Sequence, residues 1–506
     1  MKILSRLLLI LLTTSTYAQI AGSAMTLHFN STNHVPGAGV IDCGGTRLHD
    51  ADSWAWWVVQ SRGPTSFNWG GLDTFLADVY TACGGAVPTI YQLGGSPSWA
   101  PSVSNPAPAC AQDMNGVNGC YPPSDLNADG TGTNLIWRNW VAAAGTHLNA
   151  AGYTSNHAHV QYLEPWNEVD NSCILNPVIN DGRCASNFWE GTYAQLMRMT
   201  QDLRCIWEGD TSMTVGATGE TCAQVRSKVT SVRLSGPIDP TALILVPSSH
   251  LTYGSYGNGS TNVSQNLLYC NNSPKAGSQC TNGGMHAAVD ILNEHIKPCN
   301  TTCDLTSNFV ENNITTNVSN WKSFLQTAEL AKPLWITEGG FSGIGPGWPT
   351  SGVYDYTLME ESFIPRYFAI AQYSGVSLIA WYNYDTNDAL MGNSTLTQGW
   401  NTTYNWLVGK TLNGCNLTNH LWTCNLTSGT THYILAWQNN QSCTTSCNTV
   451  STVVPNSCTQ YTDISGTVHR GVAGTVNLGI MPILLQPCTT SDAMPSAPRN
   501  RTSSVQ

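Results

Sequence analysis

The sequence predicts an α/β protein: a (β/α)8 (TIM) barrel followed by a small C-terminal antiparallel β-sandwich. Strand-like and helix-like segments alternate from Gly45 to Gly409, as expected of a parallel sheet covered by helices. Beyond Lys410 short β-like runs separated by turn residues replace this alternation. The 506 residues allow two or three domains, although a barrel with insertions can absorb most of them.

The beginning of the chain is typical of a secretory signal. Lys2 and Arg6 precede an apolar run, and cleavage after Ala18 is expected, so residues 1–18 are predicted to be removed. No later segment supplies the roughly 18 uninterrupted apolar residues of a membrane span. We therefore expect a soluble, secreted (extracellular) protein.

The remaining boundaries follow the changes of pattern. Residues 19–42 are expected to form an N-terminal segment that joins the sandwich, and residues 43–410 the barrel. Residues 411–488 are predicted to form the sandwich, and the polar tail 489–506 is expected to be disordered.

The barrel elements are predicted from apolar periodicity. The expected strands are Val87–Leu93, His159–Leu163, Met213–Thr218, Pro333–Thr337 and Val376–Trp381; Thr46–Asp50 resembles the end of an early strand, and His286–His295 carries an apolar run. The expected helices are Leu72–Cys83, Leu135–Ala151, Asn187–Trp207, Trp321–Leu330 and Met359–Tyr373. Two connections, 100–133 and 221–282, are long and rich in Gly, Asn and Ser or Pro, which predicts functional or disulfide-tied loops.

Cysteine content and charge limit the cellular environment and the partners. The 18 cysteines all follow the predicted signal, which favours an oxidising compartment. Disulfides are expected between neighbours in sequence, namely Cys110–Cys120, Cys173–Cys184, Cys270–Cys280, Cys299–Cys303 and Cys415–Cys424. The net charge is −11 and no Lys/Arg cluster occurs, which argues against nucleic acid or an anionic membrane as a partner.

Two acidic strings carry the chemistry. Glu164-Pro165-Trp166-Asn167-Glu168 and Trp335-Ile336-Thr337-Glu338 both stand where an apolar strand should end. The C-terminal ends of the strands form the active face of a (β/α)8 barrel, so acids placed there are catalytic candidates. Two such carboxylates are the minimum machinery for cleaving a glycosidic bond.

These strings also resemble a known family. Asn167-Glu168, following an aromatic residue and a strand, resembles the acid/base signature of the retaining glycoside hydrolases of clan A, where an Asn-Glu pair ends barrel strand four. Thr337-Glu338 resembles their nucleophile at the end of strand seven. Within the clan, the string is closest to the β-xylosidase and α-iduronidase family, family thirty-nine, although Val169 replaces the proline of its Trp-Asn-Glu-Pro motif. The resemblance spans roughly Gly45 to Gly409.

The chemistry assigns different roles to the two acids. Glu168 is predicted to be the acid/base and Glu338 the nucleophile that forms a covalent glycosyl intermediate, which requires a carboxyl separation near about 5 Å. The alternative for either residue is a surface or ion-paired glutamate. Glu164 lies on the same strand face as Glu168, and burial near the barrel floor predicts a structural role and an arginine partner. Glu220 is a possible subsite residue.

Further side chains complete the predicted site. Asn167 is expected to bind the sugar 2-OH, with a turn-forming role as the alternative. Arg47 is expected to keep Glu338 ionised, unless it forms a salt bridge in the barrel wall. His295 matches the residue that the clan places on strand six near the nucleophile, although a lone His is more often structural.

Two tryptophans are candidate sugar platforms, because aromatic rings suit the apolar face of a sugar. Trp381 ends the last strand, where the clan commonly presents a Trp, and Trp99 follows a loop-forming string. No cofactor or metal site is predicted, since His157 and His159 share a strand face without a third ligand.

Three functional hypotheses remain open. The first is a secreted retaining glycosidase acting on a β-linked polysaccharide or its oligosaccharides. The second is a non-catalytic carbohydrate-binding protein on the same scaffold, in which neither acid would need a shifted pKa. The third is a structural cell-surface protein. The long loops should decide between endo and exo action.

Overall fold

The structure is a computed structural model of the chain. It describes residues 19–29, 35–49, 54–102, 119–170, 188–249, 285–296, 309–327, 332–340, 356–382, 384, 390, 392–439, 450–453, 458–471 and 475–488. All seven candidate site residues of the sequence analysis lie within these ranges.

Eight parallel strands form the barrel. They are β1 Met25–Phe29, β2 Thr46–Leu48, β3 Pro88–Gln92, β4 His159–Glu164, β5 Leu243–Ile244, β6 Leu292–Ile296, β7 Leu334–Gly339 and β8 Val376–Trp381. They are hydrogen-bonded in the order β5-β4-β3-β2-β1-β8-β7-β6. A parallel bridge between Leu245 and Ile291 connects β5 to β6 and closes the ring. The predicted (β/α)8 architecture is confirmed.

Helices surround the sheet. The described helices are α1 Trp56–Val59, α2 Gly70–Ala82, α3 Leu135–Leu148, α4 Tyr193–Trp207, α5 Cys222–Ser227, α6 Phe309–Thr327, α7 Tyr356–Ser374 and α8 Ser394–Leu407. The start of α4 is fixed by a capping box in which Thr192 and Gln195 bond each other's backbone N–H groups. In the described part of the chain, no helix is both long and apolar enough to cross a membrane.

The barrel interior has an apolar layer below the strand ends. It is formed by Ile90, Tyr162, Leu245, Ile291, Trp335 and Leu378, which pack as one cluster. These side chains come from β3, β4, β7 and β8 and from the residues that flank β5 and β6. The apolar layer fills the barrel, so polar side chains further along the strands collect at the C-terminal face.

The C-terminal part is a sandwich of two antiparallel sheets, as predicted. Its strands are β9 Thr411–Thr418, β10 Leu421–Ser428, β11 Thr431–Gln438, β12 Val450–Val453, β13 Gln460–Asp463, β14 Val468–Arg470, β15 Thr475–Leu478 and β16 Ile483–Cys488. Six of them form one sheet, whereas β12 and β15 pair in a second. Ile434, Val476 and Ile483 belong to the core between the sheets. The Trp437 indole N–H donates to Glu311 of α6 (2.9 Å), which joins sandwich to barrel.

The structure differs from the sequence analysis at two places. Residues 19–42 were expected to be an N-terminal segment that joins the sandwich; Gln19 forms a bridge with Thr411 of β9, whereas β1 lies between β2 and β8 in the barrel. Within the expected strand Met213–Thr218, residues 216–218 form a turn and Thr214 forms an isolated bridge with Thr221. Gly219 has φ +68°, a left-handed conformation that suits a turn better than a continuing strand. The fifth strand is Leu243–Ile244, inside the segment expected to be loop.

Four disulfides are described, and one was predicted. Cys415–Cys424 forms between the paired strands β9 and β10. The other three are Cys43–Cys83, Cys205–Cys222 and Cys458–Cys488, which join cysteines distant in sequence. The predicted pairs Cys110–Cys120, Cys173–Cys184, Cys270–Cys280 and Cys299–Cys303 lie wholly or partly outside the described residues.

Candidate active site

The predicted acids meet at the C-terminal ends of the strands. Glu338 is the fifth residue of β7, and Glu168 follows β4 after a short turn. His295 of β6 lies between them, with Nδ1 2.8 Å from Glu168 Oε1 and 3.5 Å from Glu338 Oε2. One carboxylate oxygen of each acid and one ring nitrogen of His295 all lie within 4.8 Å of one another. The three side chains are buried.

A backbone turn aims Glu168 at this cluster. Glu168 has φ +39°, in the left-handed region that a side chain with a Cβ rarely occupies. Ser248, beyond the end of β5, holds the turn: its Oγ accepts the Glu168 N–H (3.0 Å) and its backbone carbonyl accepts the Val169 N–H (3.1 Å). The neighbouring strand therefore stabilises an unfavourable backbone conformation, a pattern common at functional sites.

Arg47 connects the acids beneath the cluster. Its Nη1 contacts Glu338 Oε1 (2.9 Å) and His28 Nδ1 (3.0 Å). Its Nη2 contacts Asn167 Oδ1 (2.8 Å) and Glu164 Oε2 (2.8 Å), and Nε contacts the same Glu164 oxygen (2.9 Å). Four of the five N–H donors of the guanidinium make hydrogen bonds in this way, and the Nη2 contact with Glu164 is an ion pair.

This network fixes the charge of Arg47. Its side chain is completely buried. Burial alone would lower the pKa of the guanidinium, but the adjacent Glu164 and Glu338 carboxylates outweigh it and raise that pKa above its ordinary value. Arg47 is therefore a permanent cation beside Glu338, which favours the ionised carboxylate.

Glu164 has the structural position that the sequence predicted. It is fully buried, pairs with Arg47, and accepts a hydrogen bond from Asn293 Nδ2 through its other oxygen (3.1 Å). Asn293 in turn accepts one from the Thr337 hydroxyl. This layer supports Arg47 from below and balances its charge.

Asn167 is held by its carbonyl oxygen. Oδ1 accepts hydrogen bonds from Arg47 Nη2 (2.8 Å) and Ser248 Oγ (3.1 Å). With both lone pairs used, the amide nitrogen is the group that can donate to a ligand.

The two predicted platforms lie at different places. Trp381 ends β8 and is fully buried, with its ring stacked at 27° on Phe368. Trp99 lies half-buried in the loop after β3, and its indole N–H donates to the Gln60 carbonyl (2.7 Å). Their role as sugar platforms stays a prediction.

Glu220 belongs to a different network. It accepts hydrogen bonds from Arg138 of α3 (2.7 Å), Arg198 of α4 (3.1 Å) and Lys228 (2.6 Å). Burial raises the pKa of this carboxyl, but the hydrogen bonds from Arg138 and Lys228 outweigh it and lower that pKa to about 2. Glu220 thus joins helices outside the barrel, which argues against the subsite role considered from the sequence.

Three neighbours of the site escaped the sequence analysis. His28 of β1 contacts Arg47, Ser248 holds the Asn167-Glu168 turn, and His49 Nε2 lies 3.8 Å from Glu338 Oε1. The sequence carried a signal for two of these residues. His28 is a histidine inside the apolar run Met25–Phe29, and His49 stands two residues after Arg47. No sequence pattern indicated Ser248.

The Glu168–His295–Glu338 cluster could also be considered as a metal site, since imidazole and carboxylate both bind divalent cations. Arg47 argues against this, because its guanidinium is 2.9 Å from Glu338 and would repel a cation bound there. The arrangement fits proton transfer and nucleophilic attack better.

Replacing Arg47 with Met is expected to destabilise the fold by about 3–5 kcal/mol, because Glu164 and Glu338 would stay buried without their cation. Arg47→Lys should also be destabilised, since an ammonium has three donors for five contacts. Urea unfolding measures both effects.

Lys228→Met is the matched control. Lys228 also forms an ion pair with a carboxylate, that of Glu220, but its side chain is 57% exposed. The free energy of unfolding should therefore fall by no more than about 1 kcal/mol. Equal losses for Arg47→Met and Lys228→Met would contradict the charge balance described for the site.

Comparison with known proteins agrees with this architecture. No family model matches the sequence, and no curated protein is similar to it in sequence. The fold resembles a family 39 glycoside hydrolase from Bacteroides cellulosilyticus WH2 (14% identity, 92% of this chain and 81% of that one, TM-score 0.54). It also resembles a GH30 endoxylanase from Clostridium papyrosolvens C71 (12% identity, 94% of this chain and 98% of that one, TM-score 0.50). A third similar structure is a glucosidase from Croceicoccus marinus (11% identity, 93% of this chain and 96% of that one, TM-score 0.50). The expected likeness to barrel glycoside hydrolases is confirmed at the level of the fold.

Proposed function

We propose that the protein is a secreted retaining glycoside hydrolase that cleaves a β-linked polysaccharide or oligosaccharide by double displacement. The observation that carries this proposal is the approach of the two acids. Their nearest oxygens belong to a cluster in which all atoms lie within 4.8 Å of one another. Retaining enzymes need carboxyl groups about 5–5.5 Å apart, whereas inverting enzymes need about 6.5–9.5 Å to admit a water.

The charges around the two acids assign their roles. Arg47 donates to Glu338, which favours the anion and suits it to attack the anomeric carbon. Two carboxylates this close cannot both ionise without repulsion, so Glu168 is the one that keeps a proton and can protonate the leaving oxygen. After the leaving group departs, Glu168 is ionised and can deprotonate the water that hydrolyses the glycosyl ester on Glu338.

Neighbouring residues would orient the sugar and the acids. The Asn167 amide nitrogen can donate to the 2-OH, a bond that strengthens in an oxocarbenium-like transition state. His295 contacts both acids through one nitrogen and can keep them at a fixed separation during the two steps. No step needs a metal or a cofactor.

Export is supported by the crosslinks and by the leader-like beginning of the chain. Disulfides such as Cys43–Cys83 and Cys205–Cys222 persist in oxidising compartments. The carbohydrate class is supported by the relatives of the fold, which include an endoxylanase and a glucosidase.

A panel of aryl glycosides tests the proposal. We expect release from at least one β-glycoside in the presence and absence of EDTA, and proton NMR should show the β-anomer of the sugar before mutarotation. An α-anomer formed first would contradict retention, and loss of activity with EDTA would favour the metal-dependent alternative. Silence on aryl glycosides and on polysaccharides, with measurable polysaccharide binding, would favour the non-catalytic binding protein.

A further inference from the structure

His28 is a buried titratable residue to which the mechanism above assigns no role. It lies on β1, between β2 and β8, and its side chain is fully buried. Its ring is 4.7 Å from the Tyr382 ring in an edge contact and 5.4 Å from the His49 ring, and its backbone carbonyl accepts the Tyr384 N–H (2.9 Å). Arg47 of β2 faces its Nδ1 at 3.0 Å.

The contact with Arg47 determines the proton positions of His28. A guanidinium can only donate, so Nδ1 must be the acceptor and any ring proton must be on Nε2. A second proton on Nδ1 would remove the acceptor and place two cations side by side in a buried site. His28 is therefore a neutral imidazole in this arrangement.

The same nitrogen of Arg47 serves His28 and the nucleophile. Nη1 has two hydrogens, of which one points to His28 Nδ1 and the other to Glu338 Oε1 (2.9 Å). Nη2 donates to Asn167 and Nε to Glu164, which also forms an ion pair with Nη2. The planar fork is thus held on all sides, and His28 fixes the side next to Glu338.

We propose that His28 is a positioning residue for hydrolysis: its Nδ1 holds Nη1 of Arg47 so that the other hydrogen of that nitrogen stays on the nucleophile Glu338. Without this acceptor one Nη1 hydrogen of Arg47 loses its partner. The guanidinium then reorients to satisfy the orphaned N–H, and Glu338 loses part of the interaction that keeps it ionised and aligned. This inference rests on the proposed function.

Two substitutions of nearly equal shape separate hydrogen bonding from packing. In His28→Asn the side-chain oxygen can take the place of Nδ1, whereas His28→Leu has similar volume and no acceptor. We expect kcat/KM of the Leu variant to fall roughly 10- to 100-fold, the loss associated with one hydrogen bond to a charged group. The Asn variant should lose less than about 5-fold.

The pH profile gives a readout that packing alone would not change. The acid limb of kcat/KM reports ionisation in the free enzyme. It should move to higher pH in the Leu variant, because Glu338 becomes harder to ionise, and stay in place in the Asn variant. Equal losses in both variants, or a Leu variant with an unmoved acid limb, would overturn the proposal.

Urea unfolding keeps the test independent of folding yield and of the proposed function. If the Leu variant does not fold, the Asn variant decides alone: a loss above about 10-fold with native stability would overturn the proposal. If the parent shows no hydrolysis, the proposed function fails separately. The contact itself is then tested by a double-mutant cycle in urea unfolding of His28→Leu, which removes the acceptor, with Arg47→Lys, and the two losses of stability should be non-additive.

Discussion

Glu338→Ala is expected to lower kcat by about 10⁴-fold or more, because no other group can form the covalent glycosyl intermediate. The side chain lies on a strand and is held by Arg47 and His295, so a substitute nucleophile from the protein would have to cross the cluster. Azide added to the variant can enter the vacated space and attack the anomeric carbon. The product from a β-glycoside should then be the α-glycosyl azide, with inverted configuration.

Glu208→Gln serves as the matched control. Glu208 is also an ion-paired glutamate, 2.8 Å from Arg204, but it follows the C-terminal end of α4, at the opposite end of the barrel from the acids. The hydrolytic activity of the Glu208→Gln variant should equal that of the parent. Hydrolysis by Glu338→Ala at more than a hundredth of the parent rate would show that the nucleophile is misassigned.

Glu168→Ala should give a different pattern, because acid catalysis contributes more to the rate when the leaving group is more basic. For alkyl or sugar leaving groups kcat/KM should fall roughly 10²- to 10⁴-fold, as expected when a positioned acid is lost. A dinitrophenyl leaving group needs no protonation, so the glycosyl-enzyme should still form and then accumulate. Azide should restore turnover and yield the β-glycosyl azide, the opposite anomer from that of Glu338→Ala.

Glu164→Gln distinguishes the role of Glu168 from that of Glu164, the last residue of β4. Glu164 is buried under Arg47 and bonded to Asn293, so its loss should lower stability, and azide should not restore the lost activity. Azide rescue of Glu164→Gln, or its absence in Glu168→Ala, would reverse the assignment of the acid.

The two acids were predictable because their signals are local. Each is the last residue of a string that follows an apolar run, and such a run predicts a buried strand whose C-terminal end lies on the active face of a barrel. Asn167-Glu168 and Thr337-Glu338 therefore identify both strand ends without knowledge of the rest of the fold. Long-range packing then only has to bring the ends of β4 and β7 to one face.

The connection between the acids was only partly predictable. Pairing of Arg47 with Glu338 and pairing of Glu164 with an arginine were separate expectations, and the structure satisfies both with one guanidinium. Sequence patterns suggest charge partners but do not count donors. The set of contacts that holds Arg47 depends on closure of the barrel, which brings β1, β2, β4 and β7 around one point.

β1 and β5 show why other parts could not be predicted. β5 has two residues, too few to show alternation, so the stronger β-like run Met213–Thr218 was chosen instead. β1 pairs with β2 and with β8, and the second pairing joins residues about 350 positions apart, which no local pattern indicates. His28 was missed with the strand that carries it.

Trapping the covalent intermediate tests the central claim most directly. A 2-deoxy-2-fluoro glycoside of the preferred sugar with a dinitrophenyl leaving group should inactivate the protein and add the mass of one fluoroglycosyl group. Peptide mapping should place that group on Glu338. An adduct on another carboxylate, or continued turnover with no adduct and an inverted product, would contradict the proposal that Glu168 and Glu338 form a retaining pair.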